Sequence, residues 1–540
     1  MVNIARMKHY TRTTRTSIIR KLHIVDDAAL NGIQGRSRKG TSALNNPAPR
    51  RGLSPTTLVV MEYDTVLQRS NFNVNHNHNH RSWSHLIIPC IFSRLIFLSC
   101  LLIVTYIICI TQEFTYILNF HGYVTNTRWN HDPHIKLFGR KLRKLSVNNK
   151  KHFREKVMSN KQPNDWRYVA DNIYSYSAYW DNRSHHEPVV RIIVGANIGN
   201  GTFDNLKCLL MYRNSELVEE VTATYRVLME HHFEQSRATY VYCNVLRKEP
   251  PSKVSLLLSE WNSNSRSKII WMEVGLLQGN SPSGLGVCVR PLFNYTDIFR
   301  IVEFIAYYEA LGATHFTFYN YNSTENIGKL IRNLQDHSYS IELLSWKLPT
   351  EIQDMWSMGQ IANINDCIYR NMARNAYIAV VDLDEFITPR HVMTIQDLIT
   401  AHEKGGRRIG SFVLRSCVFC TEYKPDILPS KIPPFITQAS VRRENWIYPF
   451  LVRTKYIVKP QEVIAAGVHH VWKLIPGAEE RFIPASQALV HHYRAHLCPG
   501  NKKDIGKGEI DPMSRKYLNH LLRSKALDIW NQMNRITNDE

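Results

Sequence analysis

The chain has 540 residues, a net charge of +21 and 44% hydrophobic residues, more than one ordinary domain needs and enough for a substantial core. The charge does not select nucleic acid as a partner: residues 1–94 hold 14 Lys/Arg against 4 Asp/Glu, so about half the excess lies in a tail with little apolar patterning. The part expected to fold has neither zinc-finger spacing nor a basic run interleaved with aromatics, which argues against nucleic acid.

Residues 1–85 read as a disordered, basic cytoplasmic tail, with an Asn/His tract at Asn71 to His80. Leu95 to Gln112 are 18 residues without a charge, and Leu86 to Ser93 are mostly apolar, so 86–112 is expected to be a transmembrane helix. The segment lies too far from Met1 for an ordinary signal peptide. Asn-x-Ser/Thr occurs at Asn182, Asn200, Asn294 and Asn322 and nowhere before the span. These glycosylation candidates place the C-terminal part in the secretory lumen, a single-pass type II arrangement. Seven cysteines follow the span, and in an oxidising lumen most would pair and one would be left over. Cys208 with Cys243 is the preferred pair, because both lie in one strand-rich segment. Cys417-Val-Phe-Cys420 has no second Cys-x-x-Cys to complete a zinc site, so its expected role is structural.

Residues 113–185 read as a polar, basic stem and 186–280 as a small β-rich domain, with strands near Val189–Val194, Ala238–Val245 and Lys253–Leu258. From Val287 the pattern changes to alternating strands and helices. Asp297 to Leu311 has helical apolar spacing with Gly312 as a stop, and Thr324 is placed to cap the next helix. Strands are expected at His315 to Asn320, Ile341 to Trp346, Ala376 to Val381 and Ile409 to Val418, with helices at Met358 to Arg374, Ile395 to His402 and Tyr517 to Met533. The expected fold class is therefore α/β, a doubly wound, mostly parallel sheet in a domain over 285–540.

The centre of that pattern is Ala376 to Phe386, reading Ala-Tyr-Ile-Ala-Val-Val-Asp-Leu-Asp-Glu-Phe. A short β-branched run of this kind reads as a buried central strand, and ligands bind at the carboxyl ends of such strands. Asp382 and Asp384, two apart in extended chain, can face one ligand. Like charges held that close favour a shared cation or proton, here a divalent metal bridging a phosphate; a solvated turn is the plain alternative. The preceding helix carries Gln360 and, four residues apart on one face, Asp366 and Arg370, either an exposed ion pair or a clamp on sugar hydroxyls. Val468-His-His470 and Leu489-Val-His-His-Tyr-Arg494 add imidazoles suited to Mn²⁺ and an Arg494 suited to phosphate.

Residues about 285–500 resemble glycosyltransferase family 92 in Cys288-Val-Arg-Pro-Leu292, Asn365-Asp-Cys-Ile-Tyr-Arg370, Asp382-Leu-Asp-Glu-Phe386 with Pro389, Gly467-Val-His469 and His492-Tyr-Arg494, in matching order and spacing. The resemblance implies a GT-A-type, galactosyltransferase-like enzyme of the Golgi membrane, with its catalytic domain lumenal. It implies that Asp382-Leu-Asp384 is a metal-binding DxD motif, with Asp384 the direct ligand and catalytic, Asp382 near metal or ribose, and His492 a further ligand. Gln360, Asp366, Arg370 and Arg494 would contact the donor. The implied reaction is transfer of a hexose from a UDP-sugar, UDP-galactose above all, to a glycan or glycoprotein acceptor with Mn²⁺, by inversion. An inverting displacement needs a general base, for which Glu444 in Arg443-Glu-Asn-Trp446 is the candidate, an ordinary surface glutamate being the plain alternative. The alternatives are a membrane-anchored glycan-binding protein without catalysis, and a haloacid-dehalogenase-type phosphatase. The latter is disfavoured by Phe386 where Thr or Val is usual and by the strands that precede the motif.

Overall fold

The computed structural model describes residues 141–144 and 165–539, apart from 171, 184–187, 200, 201, 214, 216, 246, 259–268, 280 and 496–507. The chain divides into two units, residues 1–125 and 126–540, and the first lies wholly outside the described residues. The expected tail and the expected span at 86–112 therefore lie outside them too. Among the described residues no helix is long and apolar enough to cross a membrane.

Seven strands close into a barrel: β1 (Ile173–Asp181), β2 (Val189–Asn197), β3 (Lys207–Met211), β4 (Leu217–Val227), β5 (Ser236–Asn244), β6 (Lys253–Leu257) and β7 (Met272–Leu276). The order β4-β3-β6-β7-β1-β2-β5 returns to β4, because β4 pairs with both β3 and β5. Closure removes the edges that a small sheet would otherwise expose. Cys208 and Cys243 are joined across β3 and β5, the preferred pair. The barrel starts earlier than the expected boundary at 186, since β1 falls inside the stretch read as stem. Its Ile-Tyr-Ser-Tyr-Ser-Ala-Tyr-Trp-Asp sequence supplies two buried faces. Ile173 and Ala178 pack in the barrel core, whereas Tyr174, Tyr176 and Tyr179 pack with Trp346, Ile352 and Ile368 of the following domain.

That domain opens with β8 (Leu285–Val289), α1 (Ile298–Ala310), β9 (Ala313–Tyr321), α2 (Glu325–Asp336), β10 (Ile341–Ser345), α3 (Trp356–Asn371) and β11 (Tyr377–Val381). It continues with β12 (Glu385–Pro389), α4 (Ile395–His402), β13 (Ile409–Leu414), β14 (Ser416–Cys420), β15 (Lys455–Val458), β16 (Glu479–Ile483), β17 (Ala488–Arg494) and α5 (Lys525–Asp539). The main sheet runs β10-β9-β8-β11-β15-β13-β16. The first four strands are mutually parallel, and β15 is antiparallel to both its neighbours. This is the expected α/β fold with a mostly parallel sheet, made mixed by the antiparallel β15.

Local chemistry explains the elements. The Asp297 side chain caps α1 by accepting from the Arg300 amide, and Gly312 ends it at φ +96°. Thr324 occupies the N-cap position of α2 without a side-chain bond. The expected strand Ile409 to Val418 is broken at Arg415, whose guanidinium donates to the Ile447 and Tyr448 carbonyls. The break sends β13 into the main sheet and β14 into a second sheet, where β12, β17 and β14 pair in that order. The expected last helix is divided at Arg523, and α5 begins at Lys525.

Strand order reverses between β8 and β11: β9 and β10 follow β8 on one side, and β11 returns to its other side. Ligands of open α/β sheets bind at such a switch point, outside the strands' carboxyl ends. Cys288, near the end of β8, is bonded to Cys367 of α3, which ties the strand to the helix beside the crevice.

Candidate active site

At the switch point, β11 leaves the main sheet through Asp382-Leu383-Asp384 and re-enters the chain's second sheet as β12. Leu383 is buried and anchors the turn between the two aspartates. Their environments differ. The Asp382 side chain is 16% exposed, and that of Asp384 is 41% exposed.

Asp382 is held from three directions. Gln360 Nε2 donates to its Oδ1 at 3.0 Å. Lys455 Nζ, fully buried, lies 3.1 Å from its Oδ2 and 3.1 Å from Glu385 Oε2. The Asp382 amide donates to Glu385 Oε2 at 2.8 Å. Gln360 is itself oriented, since Ser357 Oγ donates to its Oε1 at 3.0 Å and Arg290 donates to Ser357 Oγ at 3.1 Å. Ser357, Met358 and Gly359 all have left-handed φ, so the start of α3 is strained where it meets the aspartate.

Asp384 meets His492, with Nε2 3.2 Å from Oδ2. His492 is opposite Glu385 in the β12–β17 ladder, and its Nδ1 lies 3.7 Å from Glu385 Oε1. The sequence brings them together through the second sheet: β12 begins at Glu385, so the residue after the turn is in register with the imidazole.

Burial raises the cost of every charge here, and neighbours decide the outcome. Burial pushes the Asp384 carboxyl up, but His492, Arg494 and Arg290 outweigh it and hold it below its usual range. Asp382 is likewise lowered against burial, by Lys455 and Arg290. Burial keeps Glu385 raised, and Lys455 opposes that only in part. The Lys455 ammonium is raised despite burial, because Asp382 and Glu385 face it. His492 is raised despite burial, chiefly by Asp384.

The donor set can be tested against a divalent cation. Asp384 offers an exposed carboxylate beside an imidazole, and a carboxylate stands behind that imidazole, an arrangement common to bound metals. Asp382, expected near the metal or the ribose, already has its two oxygens engaged by Gln360 and Lys455. Among the described residues no three His, Cys, Asp or Glu side chains form a ready-made cage. The residues fit a cation held by Asp384 and His492 with its remaining positions open to substrate oxygens.

Other expected site residues lie elsewhere. Asp366 is fully buried and faces the barrel: Ser177 Oγ (2.5 Å) and Tyr179 OH (2.6 Å) donate to Oδ1, and Tyr319 OH (2.6 Å) donates to Oδ2. Arg370 Nε completes the group at 3.0 Å. With both oxygens engaged, Asp366 and Arg370 form a sealed junction between barrel and domain, neither a surface ion pair nor a donor clamp. His469 bonds the Thr454 carbonyl at 3.1 Å, and burial followed by the nearby Lys455 lowers it to about 3. Asn294 and Asn322 are exposed and bonded to each other at 2.8 Å. The amide oxygen of Asn182 is buried, and Asn200 lies outside the described residues.

Glu444 stands in line with the site. Its amide donates to the Val418 carbonyl at 2.8 Å, and Val418 is the register partner of His492. A row Glu385–His492–Val418–Glu444 thus crosses the second sheet, placing Glu444 two strands, about 10 Å, from His492. Burial raises its carboxyl, opposed by Arg453.

Sequence reasoning missed Lys455, Arg290 and Ser357 as site residues, and gave Glu385 no role beyond that of a third carboxylate at the strand's end. Lys455 opens an apolar strand, where a lysine carries no local signal of burial. Arg290 lies within one of the family-like motifs but had no assigned role.

Residues 283–529 match the family model described as Glycosyltransferase family 92. The chain carries a glycosyltransferase family 92 domain. It is 27% identical over 243 residues to a beta-1,4-galactosyltransferase (galt-1) of Caenorhabditis elegans, covering 43% of this chain and 53% of that protein. It is 24% identical over 214 residues to a glycosyltransferase family 92 protein of Ricinus communis, covering 36% of this chain and 32% of that protein. The chain spans about half or less of the length of these curated relatives. Among solved structures, a mannosyltransferase from Pyrobaculum calidifontis in complex with GDP-Man and Mn²⁺ aligns at 13% identity and a TM-score of 0.22, covering 47% of this chain and 74% of that one. The family 92 domain so matched takes in the DxD turn, Lys455 and His492; the barrel precedes it.

Proposed function

We propose that this protein is a galactosyltransferase that moves galactose from UDP-galactose to a glycan or glycoprotein acceptor, with inversion and with Mn²⁺. The observation that carries the reading is the half-exposed Asp384 beside His492 at the switch point of the sheet. The similarity to a protein named as a galactosyltransferase supports the sugar.

Asp384 and His492 would hold the metal, which when bound supplies Lewis-acid neutralisation of the leaving diphosphate. Lys455 and Gln360 keep Asp382 fixed and ionised, so that the site needs no rearrangement on binding. Arg290 and Arg494, both close enough to lower Asp384, provide positive charge where UDP departs. Glu444 accepts the proton of the attacking acceptor hydroxyl. Its raised carboxyl must be ionised to do so, so transfer falls as pH drops through its pKa. The protein is proposed to act in the Golgi as a single-pass type II membrane protein, with residues 86–112 as its anchor and the four sequons lumenal.

A donor screen tests the reading. Purified protein is incubated with UDP-galactose, UDP-glucose, UDP-N-acetylglucosamine and GDP-mannose, with Mn²⁺ or with EDTA. The expected outcome is transfer or hydrolysis of UDP-galactose alone, abolished by EDTA. Equal turnover in EDTA would remove the metal, and turnover of another donor would replace the sugar.

A further inference from the structure

The loop joining β4 to β5, residues 228–235, belongs to the barrel, yet its fixed points lie on the catalytic domain. The Glu230 carboxylate accepts from the Val468 amide at 2.9 Å and from Trp472 Nε1 at 3.1 Å. A Cβ at Gly467 would collide with both Glu230 and Trp472, so only glycine permits this approach. Val468 precedes His469, which bonds the Thr454 carbonyl, and Thr454 precedes Lys455, the cation bound to Asp382. On the loop's other side, His232 stacks on Trp356 with ring centroids 4.0 Å apart. Trp356 precedes Ser357, a link in the Arg290–Ser357–Gln360–Asp382 chain. Beyond the loop, the Ser236 amide donates to Asp354 at 3.1 Å. The loop is therefore clamped to both segments that hold Asp382.

These clamps fix an unfavourable backbone. Glu230, His232 and Phe233 have φ of 57°, 48° and 66°, left-handed values that non-glycine residues seldom adopt. Such strain persists only where the surroundings over-determine it, and it gathers at ligand sites. The result is an aromatic ring aimed at solvent: Phe233 is 89% exposed, with the His231 ring edge-on at 6.1 Å. The loop reads Leu-Met-Glu-His-His-Phe-Glu-Gln, with no Lys or Arg. It is unsuited to a diphosphate and suited to a neutral ligand.

We propose that Phe233, flanked by His231, is an acceptor platform that the barrel contributes to the catalytic cleft, stacking the C–H face of a pyranose ring of a neutral glycan. The negative face of an aromatic ring attracts such weakly positive C–H bonds, and its rigidity costs little entropy on binding. The inference rests on the glycosyltransferase reading and names the part of the chain that receives the acceptor.

Phe233→Ala in the full chain tests it, with Phe233→Trp as the rescuing variant. An 89% exposed ring contributes little to folding, and an unchanged melting curve checks this. Two readouts are used: acceptor KM against donor KM in the transfer assay, and binding of the protein to an immobilised panel of neutral glycans without nucleotide sugar. The expected result is an acceptor KM and a panel binding each weakened tenfold or more in Phe233→Ala, restored in Phe233→Trp, with donor KM and acceptor-free hydrolysis of UDP-galactose unchanged. Unaltered acceptor KM, or panel binding equal to that of the unsubstituted protein or absent from it, overturns the platform. Should UDP-galactose not be turned over, the panel still decides: weakened binding in Phe233→Ala supports the platform while the donor assignment fails separately.

Discussion

Asp366 and Asp384 stand in two different polar clusters, one turned toward the barrel and one at the switch point of the sheet. Asp366 is sealed, its oxygens engaged by three hydroxyls and Arg370. Asp384 meets His492 and keeps a 41% exposed carboxylate. Asp366 is fully buried and Asp384 only half so, and each has a basic side chain beside it. The difference is capacity. A carboxylate whose lone pairs are all engaged can only hold structure together, whereas one with open positions can bind something that arrives. Lys455 sharpens the contrast within the site, since it gives Asp382 the sealed character of Asp366 and leaves Asp384 as the open member of the DxD turn.

The contrast can be broken by substitution, and the largest effect is expected at Asp384. Asp384→Ala should lower transfer by at least about a thousandfold, the scale of losing a metal-held charge at the reacting diphosphate, with an unaltered melting temperature. Retained transfer would place the open carboxylate outside the chemistry. Lys455→Met should do both kinds of damage. It leaves Asp382 and Glu385 buried and unpaired, at about 3–5 kcal/mol in urea unfolding, and it lets Asp382 move, so residual activity should require more Mn²⁺. Loss of stability with an unchanged metal requirement would assign Lys455 to folding alone.

Tyr179→Phe should show the opposite pattern to Asp384→Ala. Removing one hydroxyl from the sealed carboxylate is expected to cost about 2 kcal/mol, with donor KM and kcat unchanged in the surviving folded protein. A raised donor KM would return Asp366 to the site. The last effect is absent at neutral pH and concerns His315, which burial and then Arg374 lower to about 4. The unfolded chain takes up this proton below about pH 6.5 and the folded protein does not. Stability is therefore complete above that pH and declines as pH falls toward 4, by at most about 1.4 kcal/mol per pH unit. His315→Gln should flatten the urea midpoint between pH 6.5 and 4.5, and an unchanged slope would show that other groups carry it.

Much of the α/β layer was legible in the sequence because its signals are local. Asp297 and Gly312 mark the ends of α1, the spacing of Ile327, Leu330, Ile331 and Leu334 marks the buried face of α2, and the run Tyr377–Val381 marks β11. The barrel's first strand was not legible, because its alternating tyrosines bury themselves against a domain that begins a hundred residues later. The break at Arg415 was hidden for the same reason: carbonyls of Ile447 and Tyr448 impose it.

By itself the sequence determined that a short apolar strand ends in paired carboxylates, that histidines and an arginine follow far downstream, and that cysteines 208 and 243 share a strand-rich segment. These depend on residue type and short-range periodicity, which survive in one dimension. Only the tertiary structure decided which carboxylate is open. Asp366, Asp382 and Asp384 differ in what lies opposite them, and those neighbours come from β1, β15 and β17. A side chain's function here depends on whether distant groups fill its lone pairs, and that is a property of the folded surroundings.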